Sequence, residues 1–171
     1  MDAHRQHIWY SMTKSLVSSI AGVLVESGQL ELTKSPSDYI PELKGSAFDR
    51  VTVQHVLDHA TGLAFEENYV DPQSDFFLYY APALNMGYLP GAADLQPGHS
   101  EIYGVYDFLS HFVKPDLQTP PGQRFDYNSA NADVLGWLVS RLMKKPLNDV
   151  IRDVVWSKIG AEHDAYIAVD R

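Results

Sequence analysis

Cysteine is absent from this sequence. That excludes disulfides, a thiolate nucleophile and cysteine metal ligands, and leaves redox compartment open. No apolar run approaches the roughly 18 residues that a membrane span needs, so no membrane partner is expected. The opening stretch lacks the apolar core of a secretion signal. Positive charge is scarce, with 13 Lys and Arg against 22 Asp and Glu and a net charge of −9. Nucleic-acid affinity rests on neutralising phosphates, and the only basic cluster is Lys144–Lys145, so no nucleic-acid partner is expected either. Internal repeats, low-complexity tracts, a glycine-rich phosphate loop and paired carboxylates at a usable spacing are all missing. No cofactor is implied.

What remains is a chain of 171 residues, 45% hydrophobic and 20% charged, fitting one ordinary domain. A chain of that size buries roughly 68–70% of the surface its unfolded form exposes. Apolar residues at Leu16, Val17, Ile20, Val23 and Leu24 have helical spacing and predict a helix over 11–26, stopped by Gly28. Thr52 caps a helix expected to run to His59, ended by Gly62. Further helices are expected from Ser100 to about Val113, Asn131 to Met143 and Leu147 to Ser157. Residues 63–99 hold many aromatics without a clean period and read as a long loop or flap. Tyr166 to Val169 alternates weakly, as a strand does. Trp9, Trp137 and Trp156 are expected in the core.

Chemistry concentrates in Ser11-Met12-Thr13-Lys14. Ser11 stands where a helix begins, among N–H groups expected to be unpaired and at the positive end of the dipole, which favours a developing oxyanion. Lys14, three residues on, lies on the same face. An amine buried there loses its proton more easily and can accept the serine proton during attack on a carbonyl. A capping serine beside a solvated lysine is the commonplace alternative, and the apolar residues that follow argue against it. Tyr127, in a polar loop after Pro120-Pro121-Gly122, can relay a proton or act as an anionic base. His55 and His59 have zinc-ligand spacing but lack the glutamate of the protease motif. A structural role is expected, with His59 hydrogen-bonded to the turn at Thr61-Gly62, and no metal site.

In combination these motifs are far more specific. Ser11 to Ser15 opening an apolar helix, Val51 to Leu63, and Pro121-Gly122 leading to Tyr127 occur in an order that resembles the serine β-lactamase-like hydrolases. These include class C β-lactamases, DD-peptidases and family VIII esterases. Tyr69-Val70-Asp71-Pro72, Tyr127 to Leu135 and Val155 to Lys158 are closest to the nylon-oligomer (aminohexanoate-dimer) hydrolase branch. The resemblance implies an acylated Ser11, Lys14 as its general base and Tyr127 as proton shuttle to the leaving group. Tyr69 resembles a tyrosine that helps amide hydrolysis. Ser129 stands where β-lactamases usually place Asn. Both are expected to bind substrate, a small amide or ester.

The family's third motif, a Lys-Thr-Gly or His-x-Gly strand, does not occur here. The implied fold class is a mostly α fragment of an α+β fold, with most of the antiparallel sheet missing. Within a single partial domain over 1–171, the resemblance places the nucleophile helix at 11–27 and a helical domain at 28–160 with the 63–99 flap. Residues 161–171 begin the return to the sheet. A cytoplasmic location is expected, a natural N-terminus upstream of Met1 would leave export open, and oligomeric state is unknown. Two alternatives to the amide or ester hydrolase are β-lactamase or DD-peptidase activity, and a truncated module that binds without turnover.

Overall fold

The computed structural model describes residues 7–84 and 102–167. Two 15-residue helices organise it, α1 over Met12–Glu26 and α5 over Ser129–Met143. Val17, Ile20, Ala21 and Leu24 form the buried stripe of α1, the i, i+3, i+4, i+7 pattern of a one-sided helix. Val23, expected on that stripe, is exposed; it falls one position off the face that meets α5. Around α5, Val134, Leu135, Trp137, Leu138 and Val139 are all buried. α5 is therefore a central helix, packed by α1, α2 (Val53–Leu57) and α6 (Leu147–Ile151). Fully burying each such aliphatic side chain contributes about 1.5–3 kcal/mol.

Local chemistry sets the ends. Gly28 leaves α1 at φ +73. Asn128 caps α5 by accepting the Ala130 N–H, so α5 starts two residues before the expected Asn131, and Lys144 closes it in the left-handed region. Thr52 caps α2 reciprocally, its Oγ1 accepting the His55 N–H while its own N–H goes to His55 Nδ1. α2 stops earlier than the expected His59, because His59 itself turns left-handed at φ +51. The stretch between α1 and α2 folds as three 3₁₀ turns, Pro36–Asp38, Pro41–Leu43 and Ala47–Arg50.

The aromatic segment is more ordered than its lack of period suggests. Phe76–Tyr80 forms a wide π turn that runs into α3 (Ala81–Ala83). A second π turn, Phe108–Phe112, follows α4 (Val105–Asp107). Phe65, Phe76, Tyr80 and Phe108 are buried and their rings meet at 5.2–5.8 Å. The 85–99 part of the expected flap, and Ser100 as a cap, lie outside the described residues. The expected strand is not found at Tyr166 and Ile167, and Ala168 and Val169 lie outside the described residues. Trp137 is buried as expected, whereas Trp9 is 42% exposed and rests against Trp156 at 5.8 Å.

Among the described residues there is no sheet; the one β-bridge pairs Leu63 with Pro115. It belongs to a short spine. Ala64 N–H donates to Lys114, Gly62 O accepts from Asp116, Ala60 O from Gly122 and His59 O from Asp126, at 2.7–2.8 Å. Residues 59–64 thereby carry the loop that leads to Tyr127. Gly62, expected as a helix stop, is instead a point of close approach: at φ +62 an added Cβ would sit 2.2 Å from Thr119 O. Gly62→Ala is expected to cost about 2 kcal/mol or more, a left-handed penalty plus a backbone clash. Gly45→Ala, at φ +80 but facing open space, is expected to cost about 1 kcal/mol. Urea midpoints of the two variants check the difference.

Candidate active site

Ser11 occupies the N-cap of α1, yet its side chain caps nothing. Its backbone is already helical at φ −68, ψ −7, which turns the hydroxyl away from the first-turn N–H groups. Those groups are satisfied elsewhere: Met12, Thr13 and Lys14 N–H donate to the carbonyls of Trp9, Tyr10 and Ser11 at 3.1–3.2 Å. The expected unpaired donors at this helix start are therefore engaged. Tyr10, just before Ser11, sits at φ +47, a conformation rare for a bulky residue and a mark of strain where it occurs beside a functional group.

Two donors converge on the freed hydroxyl. Lys14 Nζ lies 2.9 Å from Ser11 Oγ, the contact that i, i+3 spacing allows. The Tyr127 hydroxyl lies 2.7 Å from the same oxygen. Lys14 Nζ also stands 5.1 Å from the centre of the Tyr127 ring. Burial, and less so Glu67, push the Tyr127 phenol up, but its hydrogen bonds with Lys14 and Ser11 and the Lys14 charge outweigh them, and its pKa falls below the ordinary tyrosine value.

The other two expected residues are placed differently. Tyr69 is 59% exposed, and its hydroxyl donates to Glu67 rather than to the Ser11 cluster. Burial and the Glu67 carboxylate raise its pKa. Ser129 is buried and its N–H donates to Glu67. Its neighbour across the core is Tyr80, whose hydroxyl donates to Asp133 at 2.5 Å; burial first and Asp133 next raise that phenol, while a Ser129 hydrogen bond opposes them.

Glu67 and His59 are members of this site that sequence reasoning did not assign to it. Glu67 joins Tyr69 to the first turn of α5. His59 stacks on Tyr127, ring centres 5.3 Å apart and planes within 4°. Its Nδ1 accepts the Asn128 N–H at 3.1 Å, not a donor in the Thr61-Gly62 turn. Burial, then the Lys14 charge, lower the His59 pKa against a weaker opposing pull from Glu67. Main-chain partners carry both residues' roles, so no side-chain spacing signals them. Among the described residues no group of three or more His, Cys, Asp or Glu is arranged to hold a metal.

Removing the ammonium leaves burial and the Glu67 charge, which raise the Tyr127 pKa, opposed only by the Ser11 hydrogen bond. Lys14→Met is therefore expected to raise the pH at which the Tyr127 phenol ionises. The check is the ultraviolet phenolate titration, read as a difference against the same variant carrying Tyr127→Phe. An unchanged midpoint would show that Lys14 does not set the phenol's acidity.

The Beta-lactamase family model matches residues 1–170. The 6-aminohexanoate-dimer hydrolase of Paenarthrobacter ureafaciens is 32% identical over 166 residues, which is 97% of this chain and 39% of that protein. A Beta-lactamase of Providencia stuartii is 24% identical over 162 residues, 94% of this chain and 34% of the relative. A solved Bacillus anthracis protein assigned as a 6-aminohexanoate-dimer hydrolase superposes with a TM-score of 0.72 at 25% identity, covering 97% of this chain and 43% of that one. The chain thus spans less than half the length of the relatives it matches. With the family match running nearly end to end and the serine, lysine and tyrosine gathered at one hydroxyl, this chain belongs to the Beta-lactamase family.

Proposed function

We propose that this chain carries the nucleophile region of a serine hydrolase that cleaves small amide or ester bonds through an acyl-enzyme. The observation behind it is the pair of contacts at Ser11 Oγ, 2.9 Å to Lys14 Nζ and 2.7 Å to the Tyr127 hydroxyl. A nucleophile and its base within about 2.6–3.2 Å is the arrangement such chemistry requires.

In the proposed sequence Lys14 first gives up the extra proton of its resting ammonium to solvent, and Ser11 Oγ then attacks the substrate carbonyl carbon as its proton passes to the Lys14 amine. The ammonium so formed lies beside the negative charge that develops on the carbonyl oxygen. The C–N or C–O bond then breaks. The Tyr127 hydroxyl gives its proton to the leaving nitrogen or oxygen and recovers one from Lys14. Water next attacks the acyl carbon, its proton returning through Tyr127 and Lys14, and Ser11 leaves as the hydroxyl. A phenol of lowered pKa, as at Tyr127, gives up its proton more readily than an ordinary tyrosine, which suits a proton shuttle.

Tyr69 and Ser129 complete the proposal on the substrate side. Tyr69 is exposed at the edge of the site, and its hydroxyl can serve an amide nitrogen once released from Glu67. Ser129 has one short donor where an amide side chain would offer two, which disfavours holding a β-lactam acyl group. The preferred substrates are therefore small linear amides and esters, the class to which the name of the Paenarthrobacter relative points.

The test uses the product of the complete reading frame. Values of kcat/KM are compared on a short-chain ester, an aminohexanoate dimer and a cephalosporin. Ser11→Ala is expected to abolish turnover of the first two; retained activity would overturn the nucleophile assignment. Cephalosporin turnover exceeding the others by about tenfold, roughly 1.4 kcal/mol of transition-state preference, would overturn the substrate class alone.

Tyr69→Phe is expected to slow the amide about tenfold more than the ester, because an amine leaving group needs a proton more than an alkoxide does. Equal losses on both would reduce Tyr69 to a packing residue.

A further inference from the structure

His59 holds the residue on each side of Tyr127. Its carbonyl accepts the Asp126 N–H at 2.7 Å. Its Nδ1 accepts the Asn128 N–H at 3.1 Å. Between those two bonds its ring lies face to face with the Tyr127 ring, 5.3 Å between centres at 4°. Main chain, side chain and ring thus all act on one tripeptide. His59 sits at φ +51, a left-handed conformation uncommon outside glycine, in which histidine is enriched together with asparagine and aspartate.

We propose that His59 is the positioning residue of this site: held by its two bonds to 126 and 128 and stacked on Tyr127, it sets where the Tyr127 hydroxyl meets Ser11. The inference rests on the hydrolase reading for its catalytic consequence. It assigns His59 no contact with substrate.

The geometry makes the role depend on protonation. To accept the Asn128 N–H, Nδ1 must keep its lone pair, so the ring is neutral with its proton on Nε2. A second proton would go onto Nδ1 and set a donor against a donor. It would also add a cation near Lys14. The groups that face His59 are Lys14 from α1, Glu67 from the aromatic segment, and Phe125 and Tyr127 from the loop before α5. Burial and Lys14 oppose the charge and Glu67 favours it, with a net lowering from the usual histidine value. The bond to Asn128 is therefore intact at neutral pH and is lost as pH falls through a pKa lowered from the usual histidine value.

Two measurements test this. The first needs no variant to fold: on the whole protein, the imidazole resonance of His59, identified by its contact with the Tyr127 ring, is followed by NMR as pH falls. The Asn128 amide and the Tyr127 ring resonances are expected to move with the same midpoint. Independence of those resonances from the His59 titration overturns the proposal. The second is the pH profile of His59→Asn. Asparagine tolerates the left-handed backbone and offers an acceptor near the place of Nδ1, but has no ring and does not titrate. A kcat about tenfold lower than wild type, KM within twofold, loss of the acid limb and an unchanged melting temperature support the proposal. Wild-type kcat with the acid limb retained overturns it. A coupled titration in a protein that hydrolyses neither ester nor amide supports the positioning geometry and overturns the hydrolase reading instead.

Discussion

One oxygen atom, Ser11 Oγ, takes a hydrogen bond from a residue one helical turn ahead and another from a residue 116 positions along the chain. The first contact needs only helix. The second requires the loop before α5 to be brought to the start of α1 and held there. Closing a loop of that length costs entropy that no single hydrogen bond repays, a net contribution of about 1 kcal/mol each. The packing of α1 and α2 on the central α5 supplies the difference, and the spine at 59–64 delivers the last few ångströms.

The mount for Tyr127 is stiff because its neighbour leaves no polar atom idle. Asn128 is 3% exposed. Its N–H goes to His59, its Nδ2 to Phe65 O at 2.5 Å, and its Oδ1 accepts the Ala130 N–H at 3.0 Å. Moving this residue would strand three buried groups, each at about 1–3 kcal/mol. Tyr69 is mounted differently. It hangs from an exposed stretch beside Val70, which is 90% exposed, and its hydroxyl is held by one carboxylate. In the proposed function Tyr127 relays protons from a fixed place and Tyr69 lets go of one partner to reach another, and these two kinds of support suit those two roles.

The same contrast explains what could be read from the sequence. α1 was legible because one of its faces is wet, so period and burial coincide. The start of α5 was displaced by two residues because this helix is buried nearly all round; its beginning is set by the Asn128 cap, which no stripe reveals. The aromatic segment showed no period because its turns at Phe76–Tyr80 and Phe108–Phe112 are π-wide and do not follow the 3.6-residue repeat. Ser11 and Lys14 stood out by spacing. Tyr127 became visible only together with the other motifs. Glu67 and His59 stayed hidden in their present roles because each acts on a main-chain N–H, at 129 and 128, and backbone partners leave no pattern in side-chain identity.

Electrostatics gives the site its remaining logic. The sequence carries a net charge of −9, yet the charge that touches Ser11 is positive. The Lys14 cation acts on both rings of the Tyr127–His59 stack, and in both cases it lowers the pKa. For the phenol that favours an anion. For the imidazole it disfavours a cation. Glu67 pulls the other way on both. The stacked pair feels an ammonium and a carboxylate together, and the net effect lowers the pKa of both rings from their ordinary values. Reversing either charge would change both rings together. That makes the stack one unit, through which a residue that does not touch Ser11 shares the field of the groups around its hydroxyl.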